Sequence, residues 1–111
     1  MKLPENIEGF IKAQNDLDST AFANYFTENA TVSDEGSSYS GREEIREWIQ
    51  EATEKYNMQM TPIEFKQAGS KGTLTVEVTG TFPGSPAVMN YHLELEGSFI
   101  SSLKLLIKNL V

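Results

Sequence analysis

The chain has 111 residues, no cysteine, one histidine, and nine basic residues against sixteen acidic ones, for a formal charge of −7. That length suits a single domain, residues 1–111, able to bury roughly two-thirds of its unfolded surface in one core. Disulfides and thiolate metal sites are excluded, nucleic acid is disfavoured as a partner by charge, no apolar segment reaches membrane-spanning length, and a cytoplasmic location is expected.

A first helix is predicted from Pro4, with Glu5 and Glu8 at its positive end and Ile7, Phe10, Ile11 and Gln14 recurring along one face. Residues 15–18 break it, and Asp18 or Ser19 can cap a short second helix carrying Ala21, Phe22, Tyr25 and Phe26. Residues 30–34 form a β-favouring run, and residues 35–38 read as a turn. Ser40 and Glu43 have the spacing of a capping box opening a third helix. Its apolar stripe is Ile45, Trp48, Ile49, Ala52 and Tyr56, and its glutamates read as a solvated face.

Beyond this helix the period changes from helical to alternating. Residues 58–68 read as a strand in which Pro62 demands an edge, a bulge or a bend. Gly69-Ser70-Lys71-Gly72 reads as a hairpin turn leading into a strand with Leu74, Val76 and Val78 on one face. After the turn at residues 82–86, Met89, Tyr91, Leu93 and Leu95 alternate, and a last strand runs through Phe99, Leu103, Leu105 and Ile107. Helices followed by a run of antiparallel strands give an α+β class.

Four segments in this order resemble the SnoaL-like branch of the nuclear-transport-factor-2-like (NTF2-like) superfamily. They are Phe26-Thr-Glu-Asn-Ala-Thr-Val-Ser-Asp34, Gly41-Arg-Glu-Glu-Ile-Arg-Glu-Trp48, Gly80-Thr-Phe-Pro-Gly-Ser-Pro86 and Glu96-Gly-Ser-Phe-Ile-Ser-Ser-Leu103. The resemblance implies a cystatin-like cone: a curved antiparallel sheet wrapped around about three N-terminal helices, in a small bacterial-type protein. It also implies a homodimer through the outer face of the sheet. The superfamily includes isomerases, cyclases, dehydratases and non-catalytic binding modules, so fold does not select function. Aligned with ketosteroid isomerase, Ala30 to Asp34 match the segment bearing the proton-shuttling carboxylate, which makes Asp34 the candidate general base. Phe10 and Ala87 fall where that enzyme places its oxyanion donors, and neither can donate. Steroid isomerisation by that route is therefore not expected.

The remaining candidates are apolar or aromatic. Tyr25, Phe26, Tyr39, Trp48, Phe65, Met89 and Tyr91 are the expected lining of a pocket for a small hydrophobic molecule, with Tyr39 and Tyr91 as polar handles. His92 shares a strand face with Asn90, Glu94 and Glu96, away from that pocket. No metal site or cofactor is expected, because no cluster has ligand spacing. Two readings stay open: a proton-transfer enzyme of isomerase, cyclase or dehydratase type, or a non-catalytic dimerisation or ligand-binding module whose own side chains fill the pocket. An open cavity of about 300 Å³ beside Asp34 discriminates between them.

Overall fold

In the computed structural model, which describes residues 3–34 and 36–107, helix α1 spans Glu5–Asn15 and starts directly after Pro4. It buries Ile7, Phe10, Ile11 and Gln14, the face its periodicity marks. Its end is a Schellman motif: Leu17 N donates to Gln14 O and Asp18 N to Ala13 O, with Leu17 held at φ +59°. Helix α2, Ser19–Ala23, is capped by Asp18, whose carboxylate accepts from Ala21 N at 3.0 Å.

Strand β1 runs Phe26–Asp34 and β2 runs Ser37–Ser40. Both differ from the sequence reading. Phe26 belongs to β1 and not to the second helix, and residues 37–38 pair with Asp34 and Ser33 instead of forming a turn. Pairing with a neighbouring strand satisfies the backbone of these polar residues, so their poor β pattern does not decide the outcome. Helix α3 follows as Gly41–Tyr56. Its capping box is half formed and shifted by one residue: Ser40 N donates to Glu44 at 2.9 Å, the Ser40 side chain makes no cap bond, and Glu43 pairs with Arg46.

Strands β3 (Gln59–Ala68), β4 (Lys71–Thr79), β5 (Ala87–Glu96) and β6 (Phe99–Ile107) complete a six-stranded sheet of order β2-β1-β6-β5-β4-β3. The sheet is antiparallel except between β1 and β6, which run parallel. β3 lies at the edge with a register shift between Pro62 and Glu64, so the proline's missing N–H costs no ladder bond. The Asn15 side chain donates to Met60 O and accepts from Met60 N, at 2.9 and 2.7 Å, and so fastens α1 to that edge. In β6, a shift opposite Glu94 and Leu95 inverts the phase: Ile100 is buried with Leu103 and Leu105, whereas Phe99 is exposed.

The helices cover the sheet's inner face. Phe10, Phe22 and Phe26 meet in the middle, with ring centroids 4.8 to 6.0 Å apart, and Phe10 stands edge-on to Tyr91 at 6.4 Å. These side chains fill the depth of the cone. No described helix is long and apolar enough to cross a membrane.

Candidate functional site

One row of inner-face residues crosses five of the six strands. Asp34 on β1 pairs with Leu105 on β6, Leu105 with Tyr91 on β5, Tyr91 with Leu74 on β4, and Leu74 with Phe65 on β3. Asp34 shares the phase of buried Ala30 and Val32, so a carboxylate is carried on the core-facing side of β1 at its last residue. Tyr39 on β2 pairs with Val32 and joins the same face.

Helix α3 closes this end of the sheet and is fixed at both of its own ends. Arg42 Nε donates to Phe26 O at 2.9 Å, tying the first turn to the start of β1. At the last turn, Thr81 N donates to Tyr56 O at 2.8 Å. Gly80 makes that approach feasible, because a Cβ there would lie 2.6 Å from the same carbonyl oxygen. Trp48, midway, stacks on Tyr39 with centroids 5.6 Å apart and planes at 27°, and reaches Phe22 at 6.2 Å.

Between β1, β2 and α3 lies an open cleft of about 310 Å³. Asp34, Tyr39, Trp48, Ala52 and Tyr56 line it, together with Glu44, Glu47, Glu51 and Lys55. The Lys55 ammonium sits 5.2 Å from the centre of the Tyr56 ring, which meets Phe82 edge-on at 6.1 Å. A second concavity, about 440 Å³, is larger but carries only Leu17, Ser19, Gln50, Thr53, Glu54 and Asn57. It has no ring to seat a ligand and only one carboxylate, so the chemistry concentrates in the cleft beside Asp34.

Of the residues the sequence marks, Asp34, Tyr39 and Trp48 come together in the cleft, and the other five do not line it. Tyr25 lays its hydroxyl over α1, where a Cβ on Gly9 would collide with Oη. Phe26 is wholly buried in the aromatic cluster. Phe65 covers Gly72 with its ring, supplying the contact that glycine cannot. Met89 packs against the core opposite Val76 and Ile107. Tyr91 is buried, and burial followed by the negative charge of Asp34 pushes its phenol well above the ordinary value of 10.0. It therefore stays protonated and keeps an O–H able to donate a hydrogen bond. His92 points to the outer side, with Nδ1 3.4 Å from Thr73 Oγ1.

The lining that sequence reasoning passed over lies on α3. Glu44, Glu47, Glu51, Ala52 and Lys55 are placed at −4, −1, +3, +4 and +7 from Trp48, the spacing of neighbours around one helical spot. The cleft runs along the seam where the apolar stripe meets the polar face, so its wall is half aromatic and half carboxylate. Among the described residues, no group of three His, Asp or Glu side chains is placed to hold a metal ion.

Residues 7–98 match the family model of the SnoaL-like domain. Among solved structures, a candidate polyketide cyclase from Sinorhizobium meliloti superposes with a TM-score of 0.89 at 28% identity, over 94% of this chain and 95% of that one. A hypothetical protein with a ketosteroid isomerase-like fold from Catenulispora acidiphila, solved in complex with trimethylamine, gives 0.86 at 23% identity, over 95% and 86%. An uncharacterized cystatin-fold protein from Novosphingobium aromaticivorans gives 0.77 at 21% identity, over 92% and 95%. No protein of curated function matches the chain.

Proposed function

This chain belongs to the SnoaL-like domain family, and on that premise we propose that it binds a small organic molecule with a flat apolar body in the cleft beside Asp34, with Asp34 as the proton acceptor of an isomerase- or cyclase-type step. The observation that carries this reading is the 310 Å³ opening in which Asp34 and the Tyr39–Trp48 stack share a wall. That size falls at the lower end of small-molecule sites. A ring laid against the aromatic side would bring its edge toward the inner end of β1, where a carboxylate can take a proton from carbon.

The same cleft favours a second reading, binding without turnover. Glu44, Glu47 and Glu51 face the opening, and among the described residues that line it only Lys55 offsets them. Negative charge building on a neutral substrate as it loses a proton is opposed by that field, and no donor stands where Phe10 and Ala87 replace the isomerase donors. The depth of the cone is packed by phenylalanines, which leaves the rim as the place for a ligand.

Trp48 is the single tryptophan, so its fluorescence reports on the cleft directly. A panel of flat neutral ring compounds is expected to include members that change it saturably; a panel of varied shapes with no saturable member removes the binding reading. Asp34→Asn should keep affinity within a few-fold and lose at least about 10²-fold in the rate of ligand C–H exchange with deuterated water. Exchange that persists in the variant rules out Asp34 as the base, and its absence from the unmodified protein leaves binding alone.

A further inference from the structure

We propose that the ligand of this cleft is an organic cation, an amine or quaternary ammonium with a compact apolar body; the proposal rests on the reading of the cleft as a ligand site and adds the sign of the ligand's charge. Tyr39, Trp48 and Tyr56 supply ring surface, and the negative face of an aromatic ring attracts a cation within about 6 Å of its centre. One cation already uses this wall, since the Lys55 ammonium lies 5.2 Å from the Tyr56 centroid.

Charge agrees with the rings. Four carboxylates, those of Asp34, Glu44, Glu47 and Glu51, face the opening against one ammonium. The whole chain carries sixteen acidic residues against nine basic ones, so the cleft is more acidic than the chain at large. Its floor is the packed core, a low-dielectric backing that concentrates the field of charges around a concave opening. An anionic ligand meets repulsion here, and a neutral one gains nothing from the charge.

A bare metal ion is a poorer guest than an organic cation. A metal ion requires converging oxygen ligands, whereas the described residues form no such group. A spread cation with its own apolar surface pays little to leave water and can touch rings and carboxylates together. Such a guest also resolves the chemical conflict in the proton-transfer reading. Where the cation is an iminium ion, removing a proton from the carbon bonded to its C=N carbon moves the C–H electron pair into the C=C bond of a neutral enamine, the C=N π pair onto nitrogen, and the proton onto the carboxylate. No anion then builds up in the acidic field.

Three probes of nearly one shape isolate the charge: choline, 3,3-dimethyl-1-butanol and 3,3-dimethylbutanoate. Binding is followed by the NMR shift of the Trp48 indole N–H in the unmodified protein, and then in Lys55→Met and in Glu47→Gln/Glu51→Gln. Choline should bind about tenfold more tightly than the alcohol, and the carboxylate should show no saturable shift. Lys55→Met should tighten choline several-fold by removing the resident competitor, whereas the double glutamine variant should weaken it. Equal binding of choline and the alcohol overturns the cation proposal and leaves the cleft standing as a ligand site. If none of the three binds, the cation proposal falls, and the Trp48 fluorescence response to the flat ring compounds decides the ligand site separately.

Discussion

The interior of the cone and the cleft at its rim are built from the same kind of side chain and do opposite things with it. Inside, Phe10, Phe22, Phe26 and Tyr91 meet each other's edges and faces, supplied by two helices and two strands, and are buried from solvent. At the rim, Tyr39, Trp48 and Tyr56 are only half-buried, and the opening they line is shared with glutamates of α3. Trp48 joins the two regions, with Phe22 on one side and Tyr39 on the other. The difference teaches that ring chemistry does not decide between core and site in this fold. The decision is made by whether a ring lies under the helix or along the seam between its apolar and polar faces.

Stability measurements in urea sharpen that contrast most directly. Phe22→Ala should cost about 3–5 kcal/mol, the range for emptying a sealed aromatic position. Tyr39→Ala, which opens onto solvent, should cost clearly less, about 1–2 kcal/mol. Equal losses would mean that the rim is an extension of the core, and the comparison would fail. A smaller, pH-dependent effect belongs to Tyr91. Its phenol holds its proton more tightly in the folded chain, so the folded state keeps a proton that the unfolded state releases above about pH 10. Stability is therefore intact below that pH and falls as pH rises, by up to about 1.4 kcal/mol per unit. Thermal melts between pH 9 and 11 should show a shallower alkaline decline for Tyr91→Phe than for the unmodified protein; parallel slopes would place the hydroxyl in water. The smallest change is expected from Glu51→Gln, within about 0.5 kcal/mol at neutral pH by chemical denaturation. A larger loss would assign that carboxylate to the scaffold and not to the cleft.

Much of the architecture could be read from local pattern. The stripes of α1 and α3 follow from the helical period, the edge position and bulge of β3 from Pro62, and a hairpin turn from residues 69–72, which the structure narrows to Gly69, at φ +61°, and Ser70, with Lys71 and Gly72 already in β4. What escaped depends on partners distant in sequence. Residues 37–40 become a strand only because β1 lies alongside. Phe99 and Ile100 exchange roles through a register shift that no alternation of their own residues encodes. The cap at Ser40 goes to Glu44 because Arg46 draws Glu43 away. In the site, Asp34, Tyr39 and Trp48 were legible as one segment. The glutamates around Trp48 were legible as exposed, but exposure does not reveal which exposed groups border a concavity.

The parallel pairing of β1 with β6 has a consequence for how the chain comes into being. Val32 and Leu103 are neighbours in the sheet, yet the first emerges from the ribosome long before the second. Until β6 arrives, β1 and β5 each present an open strand edge, the kind of template that recruits other chains. Asp34 likewise lacks its neighbour on that side of the sheet until Leu105 takes its place. Synthesis therefore delivers the lining of the cleft, residues 34–56, well before β6, so the sheet behind that lining closes only once β6 has been made.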